Sequence, residues 1–252
     1  RSSAASDVYK RQGKSEESKR VQDAYSLRCA PQVTGAVRDT MAHAAHVAQV
    51  ELVSAIDNPA VTDDLRVESN GNFHGAPVAY VLDFLAIAVA DLASMSERRT
   101  DRMLDPARSR GLNAFLANDP GVDSGYMIAQ YTQASIVSEL KRLAVPASAD
   151  SIPTSAMQED HVSLGWSAAR KLRRAMDGLG KVLGVEALTA ARAIDMRGIG
   201  ASEPVARVIK LMRESLPEPG PDSFLAPDIA EVDRLVASGK LVAAARESVE
   251  LN

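Results

Sequence analysis

No proline falls between Pro153 and Ile194, and within that stretch Leu172, Ala175, Met176, Leu179, Val182, Leu183 and Leu188 recur every three or four residues. That period predicts one helix from about Ser155 to Ile194. At 1.5 Å per residue it would be roughly 60 Å long, too long for a small globule and suited to a bundle or an oligomer.

The same period runs through the rest of the chain. Val33, Val37, Met41, Ala44, Ala48, Leu52 and Ile56 make one apolar face, with Asn58-Pro59 as a stop. Pro77 suits a first helical turn, and Val78, Leu82, Leu85, Val89, Leu92 and Met95 repeat the pattern before Asp105-Pro106. A third helix is expected from about Ser124 to Leu143, ahead of Pro146. Two shorter ones, near 202–215 and 228–247, flank the link "LPEPGPDSFLAP". Only "LRVESNGNF" allows a short hairpin. Abundant alanine lets helices approach closely, so the expected fold class is an all-α bundle of long helices.

Composition narrows the partners. The formal charge is −4 with acids and bases interspersed, so no basic stripe suits a phosphate backbone and no nucleic-acid partner is expected. Cys29 is the only cysteine, which excludes an internal disulfide and a thiolate-built zinc site and fits a reducing, cytoplasmic setting. No apolar run reaches the roughly 18 residues that span a bilayer, and no membrane association is expected. The N-terminus lacks the apolar core of a signal peptide.

Residues 7–12, "DVYKRQ", are what GATGTGTATAAGAGACAG encodes, a string that resembles a transposase adapter end used in sequencing. Residues 1–12 are therefore read as a translated adapter and left out of fold reasoning, with a natural tail as the alternative. On that reading residues 13–252 are part of a longer protein whose N-terminal portion is missing.

Three stretches concentrate chemistry. "SIPTSAMQEDHVSLGWSAAR", residues 151–170, sets Glu159, Asp160 and His161 side by side. Ser155 and Gln158 fit a capping box, which would leave the two acids in a first helical turn complementing the dipole. Glu159 and His161, two apart, would point to different helix faces. His43 and His46 share a face, but no glutamate follows His43, so no metal site is expected. In "VQDAYSLRCAPQ", Tyr25 and Arg28 are three apart, and Arg28 can clamp a carboxylate through a bidentate contact. A structural acid could equally take up that arginine. "SNGNFHGAP", residues 69–77, has the glycines and asparagines of a helix-entry turn. No GxGxxG, GxxxxGK[ST] or GxSxG occurs, so dinucleotide, P-loop and hydrolase readings lack support.

Taken in order, "VQDAYSLRCAPQVTGA", "DNPAV", "SNGNFHGAPVAY", "SERRTDRMLDP", "DSGYMIAQYTQA", "VPASADSIPTSAMQEDHVS" and "SAARKLR" resemble the C-terminal half of the histidine ammonia-lyases, within the aromatic amino acid lyases. The resemblance covers about residues 21–250. It implies the helical fold of ammonia-lyases, related to fumarase and aspartase, and a cytoplasmic homotetramer whose active sites draw on several subunits. The implied activity is elimination of ammonia from L-histidine to give trans-urocanate, the first step of histidine degradation.

The implied electrophile is methylidene-imidazolone (MIO), formed from an internal Ala-Ser-Gly triplet. By resemblance Arg28 would bind the substrate carboxylate and Tyr25 would join the catalytic hydrogen-bond network. Gln22 and Phe73 would line the pocket, and Glu159 would engage the imidazole or assist proton transfer there. Met157 departs from the pattern, since many members have Asn at that place. The triplet Ala237-Ser238-Gly239 lacks the glycine-rich loop of the family's precursor and is read as a helix C-cap, so Ser238 is rejected as MIO precursor. The chain alone is then expected to be inactive.

Two alternatives stay open at this point. One is another MIO enzyme, a tyrosine or phenylalanine ammonia-lyase or an aminomutase, against which Glu159 and His161 argue. The other is a non-catalytic helical oligomerisation module, in which Arg28 and Glu159 would be ordinary surface residues. The fumarase-like signature with Met-Pro-x-Lys-x-Asn is missing.

Overall fold

A computed structural model describes residues 22–198 and 200–249. The adapter reading of residues 1–12 lies outside them. The described residues form helices α1 (Tyr25–Arg28), α2 (Ala30–Val53), α3 (Ala76–Leu104), α4 (Met127–Leu143), α5 (Gly165–Arg197), α6 (Glu203–Arg213), α7 (Ala226–Ala237) and α8 (Lys240–Arg246). Two strands of two residues, β1 (Ala60–Val61) and β2 (Val67–Glu68), pair antiparallel with Val61 opposite Val67. The hairpin anticipated around "LRVESNGNF" thus takes its first strand from "DNPAV".

α3 and α5 are the central pair, and they run parallel. Lys171 Nζ lies 2.5 Å from Asp83 Oδ1 near their starts. Toward their ends Ser96 Oγ donates to Glu186 Oε2 at 2.6 Å, and Arg99 Nη2 donates to the same oxygen at 2.7 Å. Alanines at the contact (Ala79, Ala86, Ala93, Ala168 and Ala175) are essentially fully buried and let the backbones close up. α4 packs antiparallel to α5, where Gln133 Nε2 donates to the Val182 carbonyl at 2.8 Å. Gly178 is needed there because a Cβ would sit 2.9 Å from Leu140 Cδ2 and 3.2 Å from Ile136 Cγ2. α7 covers the second half of α5, burying Val185, Leu188, Val232 and Leu235 in one apolar cluster.

α2 runs antiparallel to α3 as a helical hairpin, since Asn72 Nδ2, just before α3, donates to the Ala55 carbonyl just after α2. Its predicted apolar face is only partly covered. Val37 and Ala44 are buried, whereas Met41 and Leu52 are 56% and 85% exposed.

Two helix boundaries depart most from the sequence expectation. The long helix starts at Gly165, ten residues after Ser155, because Ser155, Ala156 and Met157 all have positive φ (51°, 50° and 71°). Right-handed helix excludes that region, so no capping box forms at Ser155. The 33 residues of α5 make it roughly 50 Å long. The segment expected as one helix over 228–247 is two, because Gly239 at φ 72° turns the chain between α7 and α8. Against the expectation of no apolar run of membrane length, the segment Asn72–Leu104 contains an 18-residue window apolar enough to cross a bilayer. Its buried Asp83, Ser96, Glu97 and Thr100 mark α3 instead as a core helix with polar partners inside the fold.

Candidate functional site

The YSLR turn is a single helical turn between Ala24 and Cys29, followed at once by α2 with Pro31 in its first turn. Ser26 faces inward and is buried, while its carbonyl accepts from Arg99 Nη1 at 3.4 Å. Arg99 is in turn held by Glu186, so the turn is pinned to the C-terminal ends of α3 and α5. Pinning Ser26 inward leaves Tyr25 and Arg28 outward on adjoining positions. The Arg28 guanidinium carbon stands 4.3 Å over the Tyr25 ring. That stacking restrains the guanidinium and leaves its N–H fork free, and among the described residues Arg28 has no acid partner. Gln22, three residues before Tyr25, is also exposed.

Phe73 and Glu159 lie at the other end of the α3/α5 pair. Phe73 sits in a 3₁₀ turn, Asn72–His74, that Gly75 closes at φ 75° before α3 begins. The turn is prearranged by polar contacts: Asn70 Oδ1 accepts from the Asn72 amide at 2.9 Å. Glu159 lies in a closed loop. The Thr154 amide donates to the Glu159 carbonyl at 3.0 Å, and the Glu159 amide returns a bond to Thr154 at 3.3 Å. The Thr154 hydroxyl also donates to Glu159 Oε2. That hydroxyl first, and the Ser155 hydroxyl second, hold the Glu159 carboxyl below the usual glutamate range, so the exposed group is a carboxylate at neutral pH.

His74 and His161 join these two loops. Their rings stack with centroids 5.4 Å apart, and His161 Nδ1 lies 3.3 Å from His74 Nε2. The sequence singles out His161, beside Glu159 and Asp160 and as an argument for histidine as substrate, but not His74. The signal available in sequence was a histidine inside each of "NFHG" and "EDHV", although nothing local says that the two meet. Among the described residues no group of histidines, cysteines and acids could hold a metal.

The five residues thus fall into two sets that do not converge. Tyr25 and Arg28 adjoin the start of α2 and the Arg99 end of α3. Phe73 and Glu159 lie beyond the end of α2 and the start of α3. α2 has 24 residues, so the sets are roughly 35 Å apart along the bundle. One copy of the chain carries an exposed guanidinium at one end and an exposed carboxylate at the other, too far apart to meet the same small molecule.

Ala237-Ser238-Gly239, the only Ala-Ser-Gly triplet in the sequence, does not fit an MIO precursor. The Ser238 amide donates to the Arg234 carbonyl and the Gly239 amide to Val236, both at 3.0 Å, and Ser238 Oγ bonds the Leu235 carbonyl at 3.1 Å. A tripeptide that must cyclise through its backbone needs amides free of such helix-end bonds. The triplet terminates α7 as a C-cap.

Residues 2–214 match the sequence profile of the family described as aromatic amino acid lyase. The chain is 68% identical over 232 residues to a histidine ammonia-lyase of Streptomyces coelicolor, covering 91% of this chain and 45% of the relative. It is 66% identical over 229 residues to a histidine ammonia-lyase of Streptomyces griseus, covering 89% and 45%. Among solved structures it is similar to histidine ammonia-lyase from Trypanosoma cruzi, with a TM-score of 0.86 at 43% identity over 91% of this chain and 46% of that one. It is also similar to a tyrosine aminomutase from Streptomyces globisporus, with a TM-score of 0.88 at 36% identity over 98% and 48%. The chain therefore spans about half the length of these relatives. With an all-α architecture shared with ammonia-lyases and aminomutases and a family profile over most of its length, the chain belongs to the aromatic amino acid lyase family.

Proposed function

We propose that this sequence is the C-terminal half of a histidine ammonia-lyase, an enzyme that converts L-histidine to trans-urocanate and ammonia at the start of histidine degradation. The observation that carries the substrate choice is Glu159, an exposed carboxylate kept ionised by Thr154 and Ser155. An ionised carboxylate accepts a charge-assisted hydrogen bond from an imidazole N–H, which a phenyl ring cannot offer and a phenol offers only at its tip. Glutamate at this place therefore favours histidine over phenylalanine or tyrosine. The similarity to both a lyase and an aminomutase carries no such choice, and the relatives at 66–68% identity bear the histidine ammonia-lyase name.

Arg28 would hold the α-carboxylate in its guanidinium fork, with Tyr25 fixing the fork's direction and contributing its hydroxyl to the catalytic hydrogen bonds. Gln22 and Phe73 would line the pocket. The two sets are about 35 Å apart in one chain, so a working site would combine Arg28 of one copy with Glu159 of another. Exposed apolar faces support that assembly. Tyr80, Phe84 and Ile87 form one uncovered face of α3, with Met41 and Leu52 uncovered on α2. The proposed assembly is a cytoplasmic homotetramer. MIO would supply the electrophile that makes the amine leave, from a triplet elsewhere in the full-length protein, since Ser238 does not fit. On the same reading residues 1–12 are adapter-derived.

The test compares urocanate formation by ultraviolet absorbance. The full-length lyase carrying this sequence is expected to turn over L-histidine in preference to L-tyrosine, and the 252-residue chain alone to show no turnover. Replacing Glu159 with alanine should lower kcat/KM for histidine about 10- to 100-fold, the worth of one charged hydrogen bond. Unchanged activity in that variant would favour the oligomerisation module, and a preference for tyrosine the aminomutase group.

A further inference from the structure

Behind the YSLR turn, on the side away from Tyr25 and Arg28, lies a cavity of about 410 Å³ between α1, the last turns of α3 and α5, and the loop that follows α3. Arg99, Arg102, Arg108, Arg110 and Arg197 line it, against two acids, Asp23 and Glu186. Three of the arginines are engaged. Arg99 is paired with Glu186, Arg108 with Asp101 and Asp105, and Arg197 donates to the Ser109 carbonyl. Among the described residues Arg102 and Arg110 have neither an ion pair nor a hydrogen-bonded partner.

A second feature adjoins the same cavity. Ser109 lines the cavity, is 8% exposed, and its Oγ is a buried polar atom with no hydrogen-bond partner. Buried hydroxyls are rarely left unsatisfied, because a desolvated donor without a partner is costly. Two guanidinium groups without a partner among the described residues and an unpartnered hydroxyl, all lining one cavity, are a set that an oxyanion satisfies. The cavity also has an apolar wall, contributed by Leu27, Met103, Leu112 and Ile194. An inorganic anion would leave that wall uncovered, whereas a carboxylate with a short apolar body meets both.

We propose that this cavity is a binding site for an organic carboxylate, held by Arg102, Arg110 and Ser109 with its apolar part against Leu27, Met103 and Ile194. The carboxylate comes either from a free small molecule or from an acidic side chain of adjoining polypeptide in the full-length assembly. The proposal is independent of the substrate reading, because neither Tyr25 nor Arg28 lines the cavity.

Benzoate serves as probe, inorganic phosphate as the oxyanion without an apolar body, and benzyl alcohol as the apolar body without a charge, all at constant ionic strength. Binding is read by calorimetry on the 252-residue chain and on the full-length lyase. Saturable benzoate binding is expected, weaker for phosphate and absent for benzyl alcohol. It should fall at least about 10-fold in Arg102→Gln/Arg110→Gln, which removes no ion pair or hydrogen bond among the described residues, and about 3- to 10-fold in Ser109→Ala. Binding to both proteins identifies a free ligand. A side chain of adjoining polypeptide is identified where the full-length lyase takes no benzoate but the double variant dissociates at higher protein concentration in light scattering. If neither protein binds benzoate and the double variant assembles normally, or if binding is the same in the variants, the proposal is overturned.

Discussion

Glu159 gains its character from a loop only six residues around. Thr154 and Glu159 exchange backbone hydrogen bonds, and the Thr154 hydroxyl caps the carboxylate. A carboxyl held below its ordinary range stays charged further into acid and loses its acceptor role only when pH falls through the lowered value. Thr154→Val removes the leading donor, so Glu159 should protonate at a higher pH. The acid limb of kcat/KM for histidine in the full-length lyase should then move to higher pH, and pH–rate profiles of the two proteins check it. Met157 gives a second prediction. It is held at φ 71°, a region that side chains other than Asn and Gly occupy at a cost. Met157→Asn should stabilise the protein by about 0.5–1 kcal/mol, read as a raised Tm. The residues of this stretch that could carry chemistry were legible in its letters, and the departure at Met157 through the resemblance alone. Its backbone was not, because a Ser-x-x-Gln pattern fits a helix cap equally well until three positive φ values exclude it.

The helices themselves were legible wherever an apolar stripe and a breaker coincided. Pro31 and Pro77 stand in the first turns of α2 and α3, and the ends of α3 and α4 fall within a residue or two of expectation. Failures came where tertiary contacts decide. Nothing in the Leu172–Leu188 stripe tells that the helix waits for Gly165, or that Gly239 splits the last helix. Nor does any local pattern say that α3 and α5 run parallel. That arrangement rests on pairs far apart in sequence, of which Asp83 with Lys171 is the most buried. Burial alone would raise the Asp83 carboxyl, but Lys171 and the Ser148 amide outweigh it and hold it below its ordinary range. A group with a depressed pKa in the folded state contributes stability above its unfolded value and loses it as pH falls. Lys171→Met should therefore destabilise the protein by about 3 kcal/mol at neutral pH, where the buried carboxylate is left unpaired. The deficit should shrink in acid, where Asp83 is protonated, and denaturant melts at neutral and acidic pH read both.

At the scale of the molecule, the proposed assembly of several copies would account for two features at once. It would cover the apolar faces of α2 and α3 and bridge the roughly 35 Å between Arg28 and Glu159. Each copy would lend its YSLR end to one site and its Glu159 end to another. The direct measurement is complementation between two full-length variants, Arg28→Gln and Glu159→Ala, each impaired on its own, dissociated together and reassembled in equal amounts. If the two residues come from different copies, random mixing gives intact sites at about one quarter of positions, and urocanate formation should recover toward about one quarter of the wild-type rate. If a single copy supplies both, every site carries one lesion or the other. The mixture would then be no more active than the mean of its two components, which would contradict the account.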